Sequence, residues 1–232
     1  MKSVRTLICS VWIAGAVMAT GEMVTFTNIN QTITDNDSTG YENTQELSGY
    51  DNMLTSLVVS IRLSSITGDL AYNGDYYMSL QHDSGFSVLL NCVGVTSSNS
   101  FGYGDSGFDL SFAIGASDIH GYQDGSYTLD ANNCLTGIWG ADGRETDPDF
   151  VLDIDERTAL LNSFVGVNPN GSWTLFVADM AQNGVGQIDS WGLDVSATIP
   201  EPATGSIFLI GVLLAGGINW IKRHVYSRVP RG

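Results

Sequence analysis

Asn170-Gly171-Ser172-Trp173-Thr174-Leu175-Phe176-Val177-Ala178-Asp179, then Gly184 and Gly186, then Ile188-Asp189-Ser190-Trp191-Gly192-Leu193, is the stretch that decides the fold class. Side chains alternate across an extended chain, so Trp173, Leu175 and Val177 share one face, as do Trp191, Leu193 and Val195. Asn183-Gly184 between them is a turn signal, because both residues tolerate positive φ. The stretch is expected to form a closing hairpin with both tryptophans in the core.

The same period recurs upstream. Leu57, Val59, Ile61 and Leu63 alternate with Val58, Ser60 and Arg62, which predicts a half-buried strand. Tyr76 to Leu80, Ser87 to Leu90 and Phe108 to Phe112 are read in the same way, and Asn73-Gly74 is a second hairpin-type turn signal. Helical period is confined to Asp155 to Phe164, where Leu160, Leu161 and Phe164 follow an acidic start and predict one short helix or helical turn. Many short apolar runs, 27 glycines and only five prolines imply an all-β domain, an antiparallel β-sandwich or jelly roll. That domain is assigned to residues 20–199, and a chain of 232 residues leaves no room for a second.

Both ends carry targeting features. Lys2 and Arg5, an apolar run from Leu7 to Val17, and the small residues Ala16 and Ala19 describe a secretory signal peptide over residues 1–19. The run is shorter than the ~20 residues a bilayer core needs, and Cys9 sits too early in it for lipid attachment. At the other end, residues 203–221 contain no charge and are rich in Ile, Leu, Val and Gly. As a helix they would reach about 28 Å, enough to cross a hydrocarbon core. Lys222, Arg223, Arg228 and Arg231 then place the tail, 222–232, in the cytoplasm and the domain on the far side. Trp220 suits an interfacial anchor.

Charge separates the domain from its tail. Between Thr20 and Ile199 three arginines stand against 24 acidic side chains, a formal charge of −21. Nucleic-acid affinity comes largely from Lys and Arg contacts to phosphate, so nucleic acid is excluded as a partner. Cation binding is the sharper meaning of such acidity. Asp142, Glu145, Asp147, Asp149, Asp153, Asp155 and Glu156 fall within fifteen positions, and Ca²⁺ takes six to eight oxygens from carboxylates and carbonyls. Asp147, Asp149, Asp153 and Asp155 are therefore candidate Ca²⁺ ligands, with Asp35 and Asp37 a second candidate pair; their spacing matches no EF-hand loop. Cys92 and Cys134 remain after export as a candidate disulfide in an oxidising compartment, and the sequence leaves open whether they pair.

Pro200-Glu201-Pro202 stands just before the apolar span. Two prolines fix φ and push their predecessors toward extended geometry, so the tripeptide belongs to neither the last strand nor the helix. Pro-Glu-Pro, an apolar span and a basic tail, in that order over residues 200–231, resemble the PEP-CTERM sorting signal. The resemblance implies an exosortase as partner, in Gram-negative bacteria that make exopolysaccharide. The domain has its own likeness. Gly171-x-Trp173-x-Leu175-x-Val177-x-Asp179, then Gly186-x-Ile188-x-x-Trp191-x-Leu193, resembles the end of the P domain, or P/Homo B domain, of proprotein convertases. Ile33-Thr34-Asp35-Asn36-Asp37 with Gly40 is similar to that domain's opening segment, and Leu54 to Leu63, Gly68-Asp69-Leu70 and Met78-Ser79-Leu80 to its middle. The resemblance spans roughly residues 22–197 and implies a jelly-roll sandwich.

P domains usually accompany subtilisin-type proteases, which use a Ser, a His base and an acid together. Only His82, His120 and His224 are present, His224 in the cytoplasmic tail, and no Gly-x-Ser-x-Gly, His-Glu-x-x-His or Cys-x-x-Cys occurs. His82 is expected to be turn polarity, His120 a loop residue, and Trp139, between Gly137 and Gly140, an exposed candidate for carbohydrate contact. The sequence thus predicts a non-catalytic, exported surface or extracellular-matrix protein. It would be inner-membrane anchored through 203–221 until an exosortase processes it, and would then associate with exopolysaccharide in a biofilm. The alternative is a protease-associated module linked to serine-type endopeptidase activity.

Overall fold

A computed structural model describes residues 18–83 and 85–199, with side chains described for 22–83 and 85–197. Ten strands are formed: β1 (Met18–Phe26), β2 (Gln31–Thr32), β3 (Asp37–Leu47), β4 (Leu54–Ser65), β5 (Tyr76–His82), β6 (Gly85–Asn91), β7 (Phe108–Ala113), β8 (Leu135–Trp139), β9 (Gly171–Asp179) and β10 (Gly186–Ile199). Alternation places each face as expected: Leu57, Val59, Ile61 and Leu63 of β4 are buried, while Val58, Ser60 and Arg62 are half-buried. On β6 the run Ser87 to Leu90 is buried on both sides.

The strands make two sheets. One runs β1-β10-β4-β7-β8, with β2 also pairing with β10, and the other runs β3-β9-β5-β6. β10 with β2 and β4, β4 with β7, β3 with β9, and β5 with β6 and β9 pair antiparallel, whereas β7 and β8 run parallel from Phe108↔Leu135 to Phe112↔Trp139. The domain is an all-β sandwich, and its core is the space between the inward faces.

The expected closing hairpin does not form. β9 pairs with β3 and β5 in one sheet, whereas β10 pairs with β2 and β4 in the other. The turn chemistry was right, since Asn183 and Gly184 have φ of 73° and 116°. What they build is an arch from one sheet to its opposite. Each tryptophan strand has partners on both sides in its own sheet, so the two apolar faces meet across the core instead of lying side by side.

Trp173 is 0% exposed and Trp191 is 1% exposed. Trp173 stacks on His82 at 4.1 Å with rings 2° from parallel and tilts against Phe164 at 5.1 Å. Trp191 packs on Phe26 at 4.7 Å. Buried indole N–H groups need acceptors, and both have one: Trp173 Nε1 donates to Pro169 O and Trp191 Nε1 to Asn43 Oδ1, each at 2.9 Å.

One local expectation changes: Asn73-Gly74 is not a hairpin but the start of a 3-10 turn (Asn73–Asp75) that leads into β5. Asp155 to Phe164 yields the helical turn expected there, a 3-10 turn at Leu161–Phe164 whose apolar ends are buried. Asp155 instead closes its own loop, its Oδ2 accepting from Leu152 N at 3.0 Å. Cys92 and Cys134 are buried free thiols; one follows β6 and the other precedes β8, in opposite sheets. Burial pushes Cys92 up to about 12 and Cys134 up to about 11, so both stay protonated.

Among the described residues no helix is long and apolar enough to cross a membrane. The expected span, the Pro-Glu-Pro tripeptide and the signal peptide lie outside them, save Met18 and Ala19, which begin β1.

Trp191→Ala is expected to destabilise the domain by about 3–5 kcal/mol, the range for truncating a buried aromatic ring. Equilibrium urea unfolding checks this, and an unmoved midpoint would show that the ring is not core.

Candidate functional site

All three arginines of the domain are committed to acids. Arg62 pairs with Asp109 and approaches Asp189 at 3.5 Å. Arg144 Nη1 donates to Asp142 Oδ1 at 3.0 Å, and its Nη2 to Asp118 Oδ2 at 3.0 Å and Asp153 O at 2.7 Å. Arg157 donates to the carbonyls of Asp142 and Ala141 at 2.8 and 2.6 Å and stands 3.4 Å from Asp118. No arginine among the described residues is left to face an anion.

His120 belongs to this network. Its Nδ1 is 2.8 Å from Asp142 Oδ2 and its Nε2 is 2.9 Å from Val95 O. A neutral imidazole carries one donor, so filling both contacts requires the charged ring. Burial opposes that charge, but the hydrogen bond and charge of Asp142 and the Val95 carbonyl outweigh it, and the His120 pKa is raised. His82 is not turn polarity. It ends β5 buried, with Nδ1 2.9 Å from Ser172 O and Nε2 2.8 Å from Asn168 O. Neither ring faces a hydroxyl nucleophile. Trp139 is buried too, its Nε1 donating to Thr136 O at 3.0 Å and its ring edge-on to Tyr122, so it presents no open sugar platform.

The candidate Ca²⁺ ligands do not converge. Asp147 Oδ1 accepts from Asp149 N at 3.1 Å, capping a 3-10 turn at Pro148–Phe150, while Asp153 gives its carbonyl to Arg144 and Asp155 closes a loop. Asp37 Oδ1 accepts from Thr39 N and Thr39 Oγ1 at 3.0 and 2.6 Å. Those bonds, the side-chain one larger, lower its pKa. Among the described residues no three His, Cys, Asp or Glu side chains are grouped to hold a metal.

Acids converge elsewhere, where β5 begins and β9 ends. Asp179 lies across from Tyr76 in the ladder. The turn before β5 is fixed by Asn73, whose Oδ1 accepts from Gly107 N at 2.7 Å and whose Nδ2 donates to Tyr122 OH at 3.1 Å. A Cβ on Gly74 would stand 2.3 Å from Phe101 O, so only glycine lets the two backbones meet. Asp75, next in line, gives its carbonyl to Met180 N at 2.7 Å.

That scaffold leaves Asp75 7% exposed as a residue, its carboxylate without a hydrogen bond among the described residues. Asp179 is 1% exposed; its Oδ1 accepts from Ala181 N at 3.2 Å, and its Oδ2 has no partner. The Tyr76 hydroxyl is buried facing Asp179, the two groups interacting without a well-formed hydrogen bond to any other side chain. Burial first, then the charges of Asp179 and Asp35, raises Asp75 to about 7. Burial and then Asp35 raise Asp179 to about 6, against the hydrogen bond from Ala181.

Asp75 lines a cleft of about 440 Å³ with Cys92, Thr96, Phe101, Asp149, Phe150 and Met180. A second cleft of about 510 Å³, lined by Tyr77, Glu145, Asp147 and Phe176, shares Pro148, Asp149 and Met180 with the first. This is the candidate site. Of the acids lining it, Asp147 and Asp149 stood among the sequence candidates; Asp75 was missed, as was Asp179, which lines neither cleft and like Asp35 contributes only charge, because nothing in their spacing announces that β5 and β9 are neighbours.

A family model described as the proprotein convertase P-domain matches residues 143–195, which hold Arg144, Arg157, all of β9 and most of β10. That part of the chain is P-domain-like. No curated protein matches. The crystal structure of an Aeromonas sobria serine protease with its chaperone superposes at a TM-score of 0.42 and 15% identity, over 80% of this chain and 28% of that one. The protease alone gives 0.40 and 15%, over 79% and 28%. This chain therefore spans under a third of either.

Asp75 binds its proton more tightly folded than unfolded, so its contribution to stability is present at low pH and is lost as pH rises toward about 7. Raised His120 acts in the same direction, losing its contribution above its unfolded value. Thermal unfolding is expected at lower temperature at pH 8 than at pH 5, and Asp75→Asn is expected to flatten that slope and to be the more stable protein at pH 8. A steeper slope in the variant would contradict the assignment. Arg144→Ala, which takes the guanidinium from buried Asp142 and leaves it His120 as its only ion-pair partner, and leaves Asp118 only the more distant Arg157 and a backbone N–H, is expected to cost about 3–5 kcal/mol in urea unfolding.

Proposed function

We propose that this chain is a non-catalytic exported protein of the cell surface or extracellular matrix, a jelly-roll sandwich delivered by an N-terminal signal peptide. It is held in the inner membrane by residues 203–221 and sorted by an exosortase at Pro200-Glu201-Pro202. The observation that carries this is the order at the C-terminus. β10 ends at Ile199, and Pro200, which has no N–H for a ladder, follows at once. The tripeptide thus stands directly between a folded domain and an uncharged span ending in cations.

The site chemistry supports the non-catalytic part. Acyl transfer needs a base beside a nucleophile and donors for an oxyanion, whereas the ring nitrogens of His82 and His120 face carbonyls and a carboxylate. The acid-rich surface, with its arginines paired internally, favours cationic or neutral partners outside the cell over phosphate-rich ones. Association with exopolysaccharide is the matrix role this predicts.

The P-domain match over residues 143–195 motivates a second reading, a module that assists a serine-type endopeptidase. The sorting half of the first reading is tested in the native host. Replacing Pro200-Glu201-Pro202 with three alanines is expected to block removal of the C-terminal span, seen by intact-mass spectrometry as a mature protein heavier by the retained segment. An unchanged mature mass would make the tripeptide a mere linker.

A further inference from the structure

Asp75 is the one buried acid among the residues lining the first cleft, and its carboxylate has no protein donor among the described residues. Its backbone is held on both sides, by Tyr72 O accepting from its N–H at 3.1 Å and by Met180 N donating to its carbonyl. The residue is more than nine-tenths buried, and its carboxylate, without a protein donor, opens onto a cleft. A carboxylate so placed costs stability unless something donates to it. Asp179 and the Tyr76 hydroxyl, which line neither cleft, face each other in the interior and leave Asp75 as the buried acid open to a ligand.

The lining narrows the donor. No Lys or Arg borders either cleft, which disfavours an anionic ligand. A bare metal ion is disfavoured because no three ligating side chains are grouped among the described residues, while hard cations want six or more oxygens. The rim is instead aromatic: Phe101 is 84% exposed and Phe150 is 74% exposed, both on the Asp75 cleft. Scattered exposed apolar residues are ordinary, but two rings bordering the same recessed carboxylate, with Val151, Leu152 and Met180 beside them, offer an apolar wall and a charge at its foot. Aromatic faces attract cations through their quadrupole.

We infer that this cleft binds a protonated primary amine carried on an apolar or ring body, its ammonium seated on the Asp75 carboxylate and its body against Phe101 and Phe150. Asp149, on the wall shared by the two clefts, extends the negative field toward Glu145 and Asp147. The inference does not depend on how the protein is sorted. Occupancy neutralises the charge that Asp35 and Asp179 otherwise oppose, so binding also draws the proton off Asp75.

Isothermal titration of the full chain in mild detergent at pH 7 tests this with three amines: phenethylamine, cadaverine and a glucosamine tetramer. The fully N-acetylated form of each, with both amines of cadaverine and all four of the tetramer blocked, is its neutral control. At least one amine is expected to bind while its acetylated form does not, and the one that binds identifies whether the ammonium comes on an aromatic, an alkyl chain or a sugar. Asp75→Asn is expected to weaken it by roughly ten- to a hundredfold, the worth of a charge-assisted hydrogen bond. Phe101→Ala and Phe150→Ala, at exposed positions where folding is spared, are expected to weaken it by about two- to fivefold. Equal binding of amine and acetylated control, binding unchanged in Asp75→Asn, or no binding by any amine would overturn the proposal. Saturable Ca²⁺ binding lost in Asp75→Asn, without amine binding, would overturn it in favour of a metal. Each of these results is independent of whether the Pro-Glu-Pro tripeptide directs processing.

Discussion

Two indole rings enter one core from opposite sheets, and the rest of the domain is arranged around that fact. Trp173 on β9 and Trp191 on β10 are adjacent strands in sequence but not in space. Burying a large aromatic is among the most favourable single contributions to a core. Covering both rings from two sides needs both layers, so the short connection containing Asn183 and Gly184 arches across the sandwich. The arch frees β9 to take β5 as its neighbour, and that pairing sets Asp179 opposite Tyr76 and close to the charge of Asp75. The cleft is thus a consequence of how the core is closed.

The domain treats its acids in two ways. Around Arg144 and Arg157, buried carboxylates receive guanidinium and imidazolium donors, a network that links the segments carrying Asp118, His120, Asp142 and Asp153. Networks of this kind are tolerated when every member is supplied and are costly when one is removed. Arg144 Nε is the one guanidinium atom of this network left unpaired in the interior. At the start of β5 the supply fails, because the domain's three arginines are already engaged. There the carboxyl groups respond by holding protons near neutral pH. Identical side chains behave differently because the dielectric and the partners differ, not because the residue does.

The histidines carry the same lesson. His82 and His120 were the groups to inspect for hydrolysis, and each proves to be built into the interior by contacts at both ring nitrogens. A ring used this way anchors chain segments: His82 ties the segment from Asn168 to Ser172 to the end of β5 while stacking on Trp173.

The sequence alone determined the all-β class, the strands at Leu57 to Leu63 and Phe108 to Phe112, the burial of Trp173 and Trp191, and the turn at Asn183-Gly184. Those are period-two and φ-preference signals, carried by residues close together in the chain. Only the tertiary structure decided that the last two strands part into different sheets, that β8 runs parallel to β7, that Trp139 is covered, and that Asp75 and Asp179 meet while Asp147, Asp149, Asp153 and Asp155 do not. Each of these is a pairing between distant segments, and alternation fixes which face of a strand is apolar without saying which strand lies beside it. Charge behaves alike: the acidic excess was plain in the composition, but which carboxylate would lack a donor depended on where three arginines had been drawn by the packing.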